Sequence, residues 1–249
     1  MNEKKHIVKK AIILAAGIGK RMQPLTFEIP KPLVKVNGQR MIDTVVDGLL
    51  NNGINEIYVV VGYLKEQFYE WAKDKPEVVI IENPYYDVCN NISSLYVARK
   101  HLSDCIILDG DQIINNSSVL DAHFSLSGYN AVWCDGNTNE WLMDVENGIV
   151  KSCSRTGGSH GWQLYSVSRW SAEDGDRLRK QLEYEFDRGN RHIYWDDVAM
   201  FCHFMDYKLG IREMQKNDII EIDDLDELIW IDSSYEKYKN LKSAANAKQ

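Results

Sequence analysis

Residues 10–33 read KAIILAAGIGKRMQPLTFEIPKPL, and the rest of the chain is read outward from them. The apolar run Ala11–Leu14 predicts a buried strand. It runs into four small residues, Ala15, Ala16, Gly17 and Gly19, then into Lys20 and Arg21. Small side chains let backbone N–H groups approach a ligand, and Gly17 and Gly19 are free to adopt positive φ. A glycine-rich turn after a strand makes a nest of donors for phosphate oxygens, and Arg21 adds a bidentate fork. Lys31 stands between Pro30 and Pro32, which predicts an extended or turn segment that holds the lysine still. An ammonium about 4 Å from a phosphate gains on the order of 4 kcal/mol at an effective dielectric near 20.

Two common phosphate loops are excluded. The dinucleotide fingerprint needs a third glycine where Met22 stands, and no G-x-x-x-x-G-K-[ST] run occurs. A strand–turn–helix carrying a surface basic cluster is the plainer alternative.

The length of 249 residues allows one large α/β domain or two small ones. A net charge of −8 argues against broad binding to nucleic acid or an anionic membrane. Lys20, Arg21, Lys31 and Lys35 crowd together in this acidic chain, which suits a small anion. Five cysteines without C-x-x-C spacing argue against a disulfide framework or zinc site, and suggest a reducing, cytoplasmic setting. No apolar stretch approaches the ~18 residues of a membrane span, and MNEKKHIVKK lacks the apolar core of a signal peptide.

Downstream, Arg40–Leu50 has helical apolar spacing, Glu56–Val61 and Val78–Glu82 read as strands, and Leu64–Trp71 reads as a second helix. Strand and helix alternate, as in a doubly wound α/β sheet, where ligands sit at the carboxyl ends of the strands. Asn90 or Asn91 is placed to cap a helix running through Ser94 and Leu95. Cys105–Gln112, CIILDGDQ, is a strand ending in Asp109-Gly110-Asp111. Carboxylates there suit Mg²⁺, a hard cation that prefers oxygen; a simple turn is the alternative.

The second half differs. Tyr129–Cys134 is strand-like, Leu142–Cys153 predicts a hairpin turning at Asn147-Gly148, and Ser154–Gly161 reads as a flexible loop. Trp162–Val167 reads as a strand and Ser171–Phe186 as a helix capped by Ser171. Glu140-Trp141 and His192–Asp197 (HIYWDD) each put aromatics beside acids, as a cation site requires, although aromatics also fill cores. Ile219–Asp226, IIEIDDLD, is a strand entering a helix, with Asp223 or Asp224 as a possible cap. The expected organisation is a single domain over 1–240, in two halves at about 8–128 and about 129–240. Residues 241–249 read as a linker-like tail.

The pattern L-A-A-G-x-G-x-R-M-x-P-L-T, then P-K-P-L, resembles the signature of sugar-nucleotide and small-alcohol nucleotidyltransferases. With D-G-D, N-E-W, Y-W-D and E-I-D following in order, the chain is similar to bacterial 2-aminoethylphosphonate cytidylyltransferases and lic-type choline-phosphate cytidylyltransferases. The resemblance implies an α/β fold, a Rossmann-like doubly wound mixed sheet with an acceptor-binding second half. It implies CTP held by Leu14, Ala15, Ala16, Gly17, Gly19 and Lys20, with Arg21 and Lys31 as catalytic cations. Asn91 or Ser94 would read cytosine or its ribose, Asp109 would lie beside the nucleotide, and Asp111 and Asp223 would hold Mg²⁺. The acceptor would be a small zwitterion. Trp141, Tyr194 and Trp195 could cage a quaternary head, whereas Glu140, Asp144 and Asp196 could pair with a primary ammonium. Ile92 and Ser93 stand where choline-type relatives carry aromatics, which favours 2-aminoethylphosphonate over phosphocholine. Phosphonate-type enzymes also occur fused to an aminotransferase, a context the tail would suit. A sugar-1-phosphate nucleotidyltransferase and a non-catalytic nucleotide sensor are the other readings. No nucleic-acid or membrane partner is expected.

Overall fold

In chain order the main elements are β1 (Lys10–Ala15), α1 (Met41–Asn51), β2 (Ile57–Val61), α2 (Lys65–Ala72), β3 (Val78–Glu82), α3 (Ile92–Ala98), β4 (Cys105–Asp109) and β5 (Gln112–Ile114). They continue with β6 (Gly128–Thr138), β7 (Leu142–Glu146), β8 (Ile149–Ser154), β9 (Gly158–Trp170), α4 (Ala172–Asp187), β10 (Gly210–Glu213), β11 (Ile219–Glu221) and α5 (Leu225–Ile231). This computed structural model describes residues 5–239. The tail expected at 241–249 lies outside the described residues.

β1 is the middle of the molecule. It pairs in parallel with β2 on one side and β4 on the other, and β2 pairs in parallel with β3. A strand sends alternate side chains to opposite faces. Ala11, Ile13 and Ala15 therefore meet Ile42, Val45 and Leu49 of α1 and Phe68 of α2. Ile12 and Leu14 meet Ile92 and Leu95 of α3 and Leu178 and Leu182 of α4 on the other face. Helices on both faces of a parallel core are the doubly wound arrangement.

The sheet becomes mixed where β9 pairs antiparallel with β4. Beyond it, β9, β7, β8, β10 and β6 pair in turn, and β6 pairs back onto β9. The β7–β8 hairpin turns at Asn147-Gly148, both at positive φ (52° and 75°), as a tight type I′ turn demands. Residues 154–161, expected to be a flexible loop, form a short turn, and β9 already begins at Gly158. The long β6–β9 pairing supplies the backbone partners that keep this polar stretch in a strand.

A third core fixes the chemistry. The loop after β1 buries Met22, Leu25 and Val34 against Ile222, Leu225 and Leu228 at the start of α5. Met22 and Ile222 are wholly inaccessible, and burying such side chains is worth about 1.5–3 kcal/mol each. Arg21 and Asp223 are their chain neighbours, so this apolar contact brings the loop's cations to the carboxylate. α5 is capped by Asp224, whose Oδ1 accepts from Glu227 N at 2.9 Å; Asp223 is left for the site. α4 is capped as expected, with Ser171 Oγ accepting from Asp174 N at 3.2 Å.

Candidate active site

Two cavities lie side by side at the carboxyl ends of the parallel strands. The first, about 320 Å³, is lined by Asn91, Asp109, Glu140, Trp141, Tyr194 and Asp196 among others. The second, about 290 Å³, is lined by Leu14, Ala15, Gly17, Gly19, Lys20 and Pro32. Arg21, Lys31, Asp111 and Asp223 line both and form the wall between them.

That wall is a network of ion pairs. Lys31 Nζ stands 2.7 Å from Asp111 Oδ2 and 3.6 Å from Asp223 Oδ1. Arg21 Nη2 donates to Asp223 Oδ1 at 2.8 Å. Burial works against the charge on Lys31, but Asp111 and then Asp223 outweigh it and hold its pKa above the ordinary lysine value. Lys31 opens a single 3₁₀ turn, Lys31–Leu33, the turn alternative of the extended or turn segment expected there. Pro30 enters in the extended region, and Val34 N closes the turn on Lys31 O at 3.1 Å.

The loop's two glycines have different reasons. Gly19 sits at φ 66°, and a Cβ there would meet Thr26 Cγ2 at 3.0 Å. Thr26 Oγ1 also donates to Gly19 O at 2.8 Å, pinning the turn. Gly17 does not use its freedom to adopt positive φ. A Cβ on Gly17 would meet nothing within 4 Å, so the absent side chain leaves room in the second cavity.

The first cavity is assembled from remote segments. Glu140 and Trp141 come from the β6–β7 connection, Leu164 and Ser166 from alternate positions of β9, and Gln112 and Glu221 from paired positions of β5 and β11. Gln112 Nε2 donates to Ser166 Oγ at 2.6 Å and to Glu221 Oε1 at 2.8 Å. Burial and then Asp111 push Asp109 up to about 7. Burial likewise pushes Glu221 up to about 8. Asp196 is held well above the carboxylate range by burial and then by Asp109. Its carboxyl is buried beside the equally buried Tyr129 hydroxyl.

The segment carrying Tyr194 and Asp196 is held by its neighbours. Asn91 occupies the cap position of α3 but makes no cap bond; instead its Oδ1 accepts from Trp195 N at 2.9 Å. Asp197 Oδ2 accepts from Tyr194 N at 2.8 Å, and its Oδ1 accepts from Arg155 Nε at 2.8 Å. Trp195 is buried against Tyr129 and Trp170, so it belongs to the core and cannot wall a cage.

Other residues singled out from the sequence fall as follows. Asn91 and Asp109 line the first cavity, not the second. Ala16 is buried behind the loop, its carbonyl accepting from Tyr63 N at 3.2 Å. Ser94 is buried and accepts from Asn83 Nδ2 at 3.1 Å. Asp144 lies in a separate cavity with Trp133 and His160, and so does not join the acids of the first. Gln112, Ser166 and Glu221 were missed. Glu221 was legible, because it stands two residues before Asp223 in the E-I-D run. Ser166 had only strand alternation with Leu164 as a signal.

A nucleotidyl transferase family model matches residues 10–134. A 2-aminoethylphosphonate cytidylyltransferase from Lancefieldella rimae is 37% identical over 90% of this chain and 92% of its own length. A choline-phosphate cytidylyltransferase from Streptococcus pneumoniae is 32% identical over 88% and 94%. The solved structure of the CTP:phosphocholine cytidylyltransferase from Streptococcus pneumoniae superimposes with a TM-score of 0.82 at 30% identity, covering 90% of this chain and 97% of that one. The chain belongs to the nucleotidyl transferase family, among its cytidylyltransferases.

Proposed function

We propose that this enzyme transfers CMP from CTP to 2-aminoethylphosphonate and releases pyrophosphate. The carrying observation is the acidic lining of the first cavity, where Glu140 and Asp196 stand together. A primary ammonium has three N–H donors for such oxygens; a trimethylammonium head has none. The 37% identity to a relative named for that acceptor supports the reading.

The triphosphate occupies the second cavity, with its phosphates against the Gly17–Gly19 backbone and beside Lys20 and Arg21. A phosphonate oxygen, already ionised at neutral pH, attacks the α-phosphorus in line. The bond from that phosphorus to the β-phosphate bridging oxygen breaks, and pyrophosphate carries away the electron pair. Lys31, in the wall shared by the two cavities, holds the donor and acceptor anions together, and Arg21 holds the β- and γ-phosphates. Positioning and charge stabilisation provide the catalysis, as in other phosphoryl transfers.

Asp111 and Asp223 would hold Mg²⁺. Among the described residues no group of three or more His, Cys, Asp or Glu side chains is arranged to hold a metal. Two carboxylates fit all the same, because Mg²⁺ is usually bound through one or two carboxylates plus substrate phosphates and water. When bound, the ion supplies charge neutralisation at the α-phosphate.

No helix among the described residues is long and apolar enough to cross a membrane. All five cysteines are free, which suits the proposed cytoplasmic setting. The Trp141–Tyr194 ring pair, with centroids 5.9 Å apart, favours phosphocholine as the second reading. Pyrophosphate release from CTP and Mg²⁺ decides between them. Turnover with 2-aminoethylphosphonate is the expected result. Turnover confined to phosphocholine, or to a sugar 1-phosphate, overturns the acceptor assignment.

A further inference from the structure

A third cavity, of about 220 Å³, shares no lining residue with the two already described. It lies where β9, β6 and β10 run side by side, with β6 in the middle. Gly128 of β6 stands opposite both Arg169 of β9 and Gly210 of β10, and Asn130 stands opposite Arg212. Paired residues, and residues two apart along a strand, share a face of the sheet. Arg169 and Arg212 therefore lie on the same face, around two glycines. A Cβ on Gly128 would stand 1.9 Å from Gly210 O, so no side chain can fill that position. Both arginines line the cavity, together with Phe124 and Leu126 from the segment before β6.

The balance of charge there is positive. Arg169 is only 3% exposed, yet it makes no ion pair among the described residues. Its Nε donates to Asp121 O at 2.9 Å, its Nη1 to Asn130 Oδ1 at 2.7 Å and its Nη2 to Val119 O at 2.6 Å, all neutral oxygens. The acid that offsets its charge is Asp121. That carboxylate already pairs with Arg212 Nη2 at 3.0 Å and lies 3.0 Å from His123 Nδ1. Two guanidiniums thus share one carboxylate, whereas buried charges are ordinarily paired. Burial and then the repulsion of Arg212 push Arg169 down to about 9, which leaves it charged at neutral pH.

We propose that this third cavity is a binding site for a small oxyanion of the phosphate type, with Arg169 and Arg212 as its cations. Such an ion supplies the negative charge that the two arginines lack, and the guanidinium fork is the side-chain group best matched to phosphate oxygens. Arg212 is one-third exposed, so the ion has a way in from solvent. The volume is below the ~300 Å³ at which pockets for drug-sized ligands begin, which suits a bare ion and not a whole nucleotide. The site is independent of the acceptor reading above.

The test is calorimetric titration of the full chain with inorganic phosphate, without metal or nucleotide. Arg212→Gln is expected to weaken phosphate binding at least tenfold. That change also releases Asp121, so a second pair of variants keeps both arginines. Leu126 is 38% exposed, and only Leu126→Glu, which sets a negative charge at the cavity, is expected to weaken binding tenfold; Leu126→Gln should bind as the wild type does. A purely structural disturbance would fall on both. Lys20→Ala with Arg21→Ala, which strips exposed cations from the second cavity, should leave this binding in place. Absence of phosphate binding in the wild type, unchanged binding in Arg212→Gln and Leu126→Glu, or loss confined to the Lys20–Arg21 variant overturns the proposal. CMP, which carries its phosphate on a nucleoside, is titrated into that last variant; binding as tight as that of inorganic phosphate overturns the assignment to a small ion.

Discussion

The two cavities are built by opposite means. The second cavity, proposed for the nucleotide, comes from one continuous stretch apart from Asp111 and Asp223 and is shaped largely by backbone: small residues, a glycine at φ 66° and a turn pinned by Thr26. The first, acceptor-side cavity is made of side chains from segments as distant as Asn91 and Glu221. A backbone nest recognises what all nucleoside triphosphates share, whereas side chains can be exchanged one by one. Under the proposed assignment the triphosphate end tolerates little change, and the acceptor end is where related enzymes can diverge.

The shared wall should show the largest effects. Lys31→Ala or Asp111→Asn is expected to lower kcat by about 10²–10³, the usual cost of removing one charge-stabilising group, read by pyrophosphate release at saturating CTP and acceptor. A loss below tenfold at either position would separate the wall from the chemistry. Asp223 and Asp224 offer a sharper contrast between neighbours. Asp223→Asn should lose activity on the same scale, while Asp224→Ala should cost only about 1 kcal/mol of stability as a lost helix cap, read by urea unfolding. The reverse pattern would exchange their roles.

Within the cavities the effects should divide by substrate. Gly19→Val meets both the positive φ and the Thr26 methyl, so it should raise the KM for CTP with little change in the KM for the acceptor. Glu140→Gln and Asp196→Asn should do the opposite, each raising the acceptor KM by about tenfold, the scale of a charged hydrogen bond. If neither substitution moves the acceptor KM, the acceptor is placed wrongly.

The smallest effect is on stability against pH. Burial and then Asp109 hold Asp196 above its ordinary value, so the ligand-free folded enzyme keeps a proton that the unfolded chain has released. The stability this gives is complete below the unfolded carboxylate value of about 3.9 and is lost as pH rises through the folded value. Asp196→Asn should therefore flatten the decline in Tm with rising pH, measured by scanning calorimetry without ligands. An unchanged slope would show that Asp196 ionises in the fold as it does in the open chain.

The sequence by itself determined the parallel core, the glycine-containing loop after its first strand and the order of the acidic motifs. Each of these is local: strand alternation, small residues after a strand, and carboxylates at a strand end can all be read within a few residues of one another. It also left Asp223 and Asp224 as competitors for the helix cap, with only the family resemblance assigning Asp223 to the metal. Tertiary structure made that choice, because Ile222 is buried against Met22 and turns Asp223 toward Lys31, leaving Asp224 to cap α5. It likewise sent Trp195 into the core, moved Asp144 to another cavity and stacked Arg155 on Phe201. Those outcomes depend on which distant side chains share a space, and chain neighbours carry no record of that. Three cores, two on the faces of one sheet and a third between the loop and α5, decided it by burial.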